Sequence, residues 1–370
     1  MKRLIRTTTR VKGPVVGLDV HKVVIVYCVL DAQGDVAQSG NVDAQAGPLL
    51  ERLERLLGAE GGHVTLEACG HSMWAYDLLR ERYGEERVHL AQSARIRMIA
   101  SSSEKNDRND AWWLAFLTQE GRLPTAYMPP GIYRDVRLVA RERIEAVKLR
   151  VRAAVRLKAE LAQMGERPPY VDLDSEATQE FVLALGTKTG GVRGAKLLRS
   201  LDLYLRMTEE RDYWAAQLEA LAEALPDWRR LQREIPGIGK TLSATILGET
   251  GPIGRFKSPK ALARFTGLTP SDRSTGGKTI HGNITREGSP ALRWALIEAV
   301  THCARSTRGP QAAVRRWITS RARRLGKAKA RAGAARKLAV SIWHCVTKNV
   351  PFDSVKAFGP EPAPKPLPAT

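Results

Sequence analysis

The sequence predicts an α/β domain followed by a helix-rich one, and three observations carry that prediction. Short β-branched, apolar runs at residues 15–19, 23–30 and 63–67 alternate with helical patterns up to residue 128. Residues 134–164 hold charged and apolar side chains at helical spacing with neither Gly nor Pro. Beyond Ile235, helical patterns dominate.

The first domain opens as a meander. Residues 15–19 and 23–30 are predicted strands, Asp31-Ala32-Gln33-Gly34-Asp35 is a turn signal, and residues 36–42 pair back as a third strand. A helix over 48–57, a strand over 63–67, a helix over 72–83, a short strand over 88–90 and a helix over 107–118 follow. The segment 134–164 then predicts one long helix of coiled-coil type, a spacer or an oligomerisation arm. A polar interval with Pro and Gly covers 165–194, and a second long helix covers 195–225. The last domain is expected to be all-α, with helices over 242–247, 258–265, 289–305, 311–324 and 331–348. Five prolines between 359 and 370 predict a disordered tail, and the basic residues 1–13 a disordered arm. The resulting division is 1–13 arm, 14–128 α/β domain, 129–228 helical spacer, 229–355 helical domain and 356–370 tail.

Composition narrows the partner. The 59 Lys plus Arg exceed the 39 Asp plus Glu by 20 charges, an excess that favours a polyanion through phosphate neutralisation and counterion release. No apolar run approaches the roughly 18 residues of a spanning helix, and no signal peptide is recognisable at Met1, so a soluble, cytoplasmic protein without a membrane partner is expected. Cys28, Cys69, Cys303 and Cys345 are scattered, which argues against zinc or a disulfide framework and for reduced thiols.

Four acids stand out by position. Asp19 ends one strand, Glu67 ends another, and Asp107 and Asp110 share a face at the start of a helix. Converging at one sheet edge, they would form an oxygen-only cluster suited to Mg²⁺ or Mn²⁺, and a metal pair there can polarise a phosphodiester. The plainer alternative makes Asp107 a helix cap, Asp110 a partner of the helix dipole and Asp19 a turn residue. Glu67 resists that alternative, because a charge inside a buried strand requires a cation.

Gly17-Leu18-Asp19-Val20-His21-Lys22, Leu66-Glu67-Ala68-Cys69-Gly70 and Lys105-Asn106-Asp107-Arg108-Asn109-Asp110-Ala111, in this order and spacing, resemble the DEDD transposases of bacterial insertion sequences. The resemblance implies a RuvC-like N-terminal domain of ribonuclease H type, with Asp19, Glu67, Asp107 and Asp110 as catalytic ligands of Mg²⁺. It covers residues 15–355.

In the last domain, Ile235-Pro236-Gly237-Ile238-Gly239-Lys240-Thr241 resembles a helix-hairpin-helix, whose amides and Lys240 can meet a DNA phosphate; a plain turn packing two core helices is the alternative. The stretch 265–288 is Gly-rich and polar and reads as a hairpin-like loop able to bring a hydroxyl, amides, Arg273 and Lys278 to one phosphate. It is similar to the second domain of the same transposases, in which a serine before a glycine is the proposed nucleophile. This chain departs from that pattern. Aligned without gaps from Gly267-Leu268-Thr269-Pro270, the serine falls on Thr275, while the nearest serine is Ser274. Ser274 is favoured, as a primary hydroxyl in a loop that absorbs a one-residue shift, and Thr275 stays open. Residues 300–352 hold thirteen Lys plus Arg and no acid, with Trp317 and Trp343 interleaved. Such a one-signed stretch, including Arg315, Arg316, Arg323 and Arg324, is expected to track a nucleic-acid backbone.

The function expected is a transposase or recombinase that cuts and rejoins DNA of an insertion sequence. The resemblance further implies a structured guide RNA encoded by the element, a dimer or tetramer, and two domains, from one subunit or two, that compose one site. A junction-resolving nuclease that uses metal-activated water is one alternative. A non-catalytic nucleic-acid-binding protein is another.

Overall fold

The structure is a computed structural model that describes residues 10–58, 61–93, 95–96, 107–275 and 278–360, without the side chains of Asp107 and of residues 272–281. The chain divides into two compact units, Met1–Met128 and Pro129–Thr370.

In the first unit β1 (Val15–Val20), β2 (Val24–Leu30), β3 (Val36–Asp43), β4 (His63–Glu67) and β5 (Val88–Ala91) form one sheet in the order β3-β2-β1-β4-β5. The β1–β2–β3 meander is antiparallel, and β4 and β5 extend it parallel to β1. Helices lie on both faces, which explains why β2 is apolar throughout rather than alternating. On one face, α1 (Ala46–Leu57) and α2 (Met73–Tyr83) pack Leu49, Leu53 and Leu79 against Val16, Leu18, Val64 and Leu66. On the other, α3 (Asp107–Gln119) sets Ala111 and Ala115 against Val15, Val26, Cys28 and Leu30. Val11 packs here too, and its amide donates to the Gln119 carbonyl at 2.9 Å, so the expected disordered arm is already ordered at that residue.

In the second unit α4 (Ile132–Gln163) and α6 (Gly191–Ala222) lie side by side, and α5 (Glu176–Thr189) closes one end over a core of Leu157, Leu161, Val182, Leu197, Leu201 and Tyr204. The polar interval expected over 165–194 therefore contains a helix of fourteen residues. Val136, Val139, Leu218 and Ala222, at the opposite ends of α4 and α6, belong to a second core. That core is built from α7 (Trp228–Glu234), α8 (Lys240–Thr250), α9 (Pro259–Phe265), α10 (Pro290–Cys303), α11 (Gly309–Leu325), α12 (Lys327–Lys348) and α13 (Ser354–Phe358).

Two expectations need correction here. The C-terminal part is mostly but not wholly helical, since β6 (Pro270–Thr275) and β7 (Lys278–Ile284) form an antiparallel hairpin. The expected tail from 356 begins inside α13, where the Asp353 carboxylate caps the helix and Phe358 is buried against the second core. The arm and tail expected over residues 1–9 and 361–370 lie outside the described residues.

All four cysteines are free. Cys28, Cys303 and Cys345 are buried, and burial pushes the Cys303 thiol up to about 12 and that of Cys345 up to about 11. Cys69 is exposed. Among the described residues, no helix is long and apolar enough to cross a membrane.

Candidate active site and nucleic-acid surface

Strand register decides where the acids fall. Alternation along β1 turns Val16 and Leu18 toward α1 and α2, which leaves Val15, Gly17 and Asp19 on the α3 face. Along β4, Val64 and Leu66 occupy the first face, leaving Thr65 and Glu67 beside them on the α3 face. Leu18 stands next to Leu66 in the parallel ladder, so Asp19 and Glu67 follow side by side at the carboxyl ends of β1 and β4.

The third element is brought to the same end by a close approach. A Cβ on Gly17 would lie 1.9 Å from the Ala111 carbonyl oxygen and 2.8 Å from the Ala115 nitrogen, so only glycine lets α3 rest on β1. The last residue of α3 bonds to both the entry of β1 and the β2–β3 turn: the Gln119 carbonyl accepts from Val11, and its side-chain amide donates to the Asp31 carbonyl. The helix thus runs antiparallel to β1 and starts at the acid end. Four residues of helix and two of strand each advance about 6 Å, so from the Ala111–Gly17 contact Asp107 comes to about the level of Asp19.

Glu67 differs from its expected setting. It is the last residue of β4 and half-buried, so its charge reaches solvent and does not by itself require a cation. The turn after it is rigid: the buried Ser72 hydroxyl donates to the Glu67 carbonyl at 2.5 Å and accepts from the Cys69 amide at 3.1 Å. The Asp19 carboxylate is 3.0 Å from His21 Nε2. That contact could have been read from the sequence, since residues two apart on an extended segment share a face. Among the described residues no group of three His, Cys, Asp or Glu is gathered closely enough to hold a metal ion. The Asp107 side chain lies outside the described residues.

In the second unit the hairpin is anchored at its base. A Cβ on Gly288 would lie 2.1 Å from the Phe265 carbonyl oxygen, Arg286 donates its amide to the Gly267 carbonyl at 3.1 Å, and the Arg293 guanidinium donates to the carbonyls of Arg286 and Gly288. Ser274 and Thr275 are the last two residues of β6, opposite Thr279 and Lys278. The one-residue shift expected to be absorbed by a loop thus falls inside a ladder, where one residue changes face. The side chains of Arg273, Ser274, Thr275 and Lys278 lie outside the described residues.

Two family models match the chain. A DEDD transposase model named for IS110 covers residues 16–165, and one described as "Transposase IS116/IS110/IS902 family" covers residues 229–315. The chain is 31% identical to "Putative transposase y4pF/y4sB" of Sinorhizobium fredii, over 77% of its own length and 73% of the relative's. The chain belongs to the IS110 family of transposases. It is also 25% identical, over 90% of both chains, to the transposase for insertion sequence element IS1111A of Coxiella burnetii. As a transposase it is an enzyme of DNA cleavage and strand transfer.

The transposase's glycine turn at 236–239 is seated in its core. Gly237 has φ of +76°, and a Cβ there would lie 2.2 Å from the Ala299 carbonyl oxygen, so the turn packs α7 and α8 against α10. The Lys240 ammonium pairs with Glu219 rather than standing free.

The basic stretch divides between two helices. Along α12, Ala334, Leu338, Ile342 and Trp343 are buried, and the Trp343 indole donates to the Phe256 carbonyl at 2.8 Å. Trp343 is therefore a core residue. Along α11 the reverse holds. Arg315, Arg316, Arg321 and Arg323 line a groove of about 710 Å³ together with Trp317 and Phe358, and among the described residues no acid lines it. Trp317 carries the cations of Arg321 and Lys337 near its ring, at 5.9 and 5.8 Å from the ring centre. Burial and the neighbouring Arg321 and Arg336 hold the Lys337 ammonium below its usual range. With that ring occupied, the groove offers charge rather than stacking. Arg324 is exposed on the last turn of α11.

Proposed function

We propose that this transposase cuts DNA with a divalent metal held by Asp19, Glu67, Asp107 and Asp110 and with a hydroxyl nucleophile, Ser274 or Thr275. The observation that carries the reading is the meeting of β1, β4 and the start of α3 at one end of the sheet, on one face. The sheet order and the helices on both faces support a ribonuclease H fold of RuvC type for the first unit. The donors are all carboxylate oxygens, which fits hard Mg²⁺ or Mn²⁺. When bound, such an ion lowers the charge on the phosphodiester and favours attack at phosphorus.

The chain's own groups do the rest. The hydroxyl loses its proton and attacks phosphorus, the P–O bond to one side of the break opens, and that DNA oxygen leaves with a proton as a free hydroxyl end; the other side stays joined to the protein by a phosphoester whose energy is kept for rejoining. Arg273 and Lys278 flank the hydroxyls in the hairpin sequence and offset charge on the transferring group. DNA is held by its backbone through Arg315, Arg316, Arg323 and Arg324. Lys240 contributes only by exchanging Glu219 for a phosphate. A guide RNA encoded by the element, assembly as a dimer or tetramer, and action in the bacterial cytosol rest on the resemblance of the sequence motifs.

The double variant Ser274→Ala/Thr275→Ala is expected to lose DNA cleavage together with the covalent protein–DNA adduct on a denaturing gel, and the single variants identify the nucleophile. Cleavage that survives intact would instead support a nuclease that uses metal-activated water. For the α11 groove, Arg315→Ala, Arg316→Ala and Arg323→Ala combined should reduce the slope of log affinity against log salt by roughly 2 to 3, across unrelated DNA sequences. An unchanged slope in fluorescence anisotropy titrations would remove the groove from the DNA path.

A further inference from the structure

The Thr65 and Thr118 hydroxyls form a buried bond between β4 and α3. Thr65 is fully buried, Thr118 is 4% exposed, and their Oγ1 atoms are 2.6 Å apart. The Thr118 hydroxyl donates to the Leu114 carbonyl four residues back, at 2.7 Å. Its one proton is thereby used, so Thr65 is the donor in the pair and Thr118 the acceptor. Neither residue belongs to the four acids, and the two are 53 positions apart in the chain.

Their place in the fold is specific. Thr65 is the ladder neighbour of Gly17, and Ala111, Ala115 and Thr118 form the stripe of α3 that faces the sheet. The Gly17 contact sets how closely α3 approaches β1, but smooth backbone against backbone does not fix how far the helix slides or turns. The Gln119 bonds hold the far end of α3, and the hydroxyl pair fixes it against β4, because a hydrogen bond weakens steeply with misalignment. Glu67 lies two residues beyond Thr65 on the same face of β4, and Asp110 lies two turns before Thr118 on α3.

We propose that Thr65 and Thr118 are positioning residues for the metal-binding acids, locking the helix that bears Asp107 and Asp110 in register with the strand that bears Glu67. The inference rests on the reading that these acids hold a divalent ion. A slide of about 1 Å in α3 leaves the apolar packing largely intact but misplaces two of four ligands, and supports of this kind are worth on the order of 10-fold in metal affinity.

The test is Mn²⁺ binding to the full-length, metal-stripped protein, read as loss of the free-ion signal in electron paramagnetic resonance and compared with thermal melting. Thr65→Val and Thr118→Val each break the bond at nearly constant volume and should weaken Mn²⁺ binding about tenfold. Thr65→Ser restores the donor and should bind as the unaltered protein does. Valine variants that melt earlier yet bind Mn²⁺ unchanged would overturn the inference alone. Failure of both valine variants to fold would also overturn it, since the bond would then serve the fold rather than the acids. If the unaltered protein itself binds no Mn²⁺, the metal reading fails and the inference falls with it.

Discussion

Asp19→Asn is expected to lower DNA cleavage and strand transfer by roughly 10³-fold or more at saturating Mg²⁺, because it removes one anionic ligand from the proposed metal centre while keeping the side-chain shape. The fold should survive. Asp19 sits at the carboxyl end of β1, its carboxylate side chain is 15% exposed, and an amide of the same shape fits beside His21 as the carboxylate does. Glu67→Gln should behave alike, since the Ser72 hydroxyl holds the Glu67 backbone and not its carboxylate. The measurement is single-turnover cleavage of DNA carrying the element's ends, with melting temperature as the control. Cleavage within twofold of the unaltered protein at an unchanged melting temperature would return the acids to the role of turns and caps.

Much of the candidate site's framework could be read in the sequence because its signals are local. Asp19 and Glu67 end apolar runs whose lengths match strands, and Asp107 opens a helix whose start carries its own acids. Gly17, two residues before Asp19, gave no sign of its function until α3 was seen resting on it. What escaped the sequence depends on distant partners. Phe181, Val182 and Leu185 of α5 have helical spacing, but Pro168, Pro169 and Gly165 before them, with Gly190 and Gly191 after, gave the segment the composition of a loop. The stretch 265–288 reads as hairpin-like, but that its arms pair as β6 and β7 does not show, because they hold few strand-forming residues and are held at their base by Gly288 and Arg293. Trp317 and Trp343 look alike in a basic stretch, and only tertiary packing sends one to a groove and the other to the core. The Thr65–Thr118 bond has no sequence signature, because two threonines 53 residues apart are unremarkable until a strand and a helix bring them together.

Glu249 should be the residue on which the second unit's stability depends most. It lies on α8 with its side chain 1% exposed, and two guanidinium groups from α4 surround it. Arg141 donates through Nε and Nη2 at 2.7 and 3.1 Å, and Arg137 Nε is 3.3 Å away. The helices cross in backbone contact there, since a Cβ on Gly248 would lie 2.8 Å from the Arg137 nitrogen, which leaves little room for water to replace a lost carboxylate. Removing one member of a buried ion pair typically costs about 3 to 5 kcal/mol, mostly because the other charge is left without a partner. Glu249→Ala should therefore lower unfolding free energy by that amount in urea titrations. Arg141 is half-exposed and can turn to solvent, but Arg137 is only 20% exposed and cannot. Adding Arg137→Met to Glu249→Ala removes the stranded charge along with its partner, so the double variant should recover much of the loss. A loss below about 1 kcal/mol for Glu249→Ala would mean that hydration reaches the crossing after all. Equal losses for the single and double variants would place the cost in packing rather than in charge.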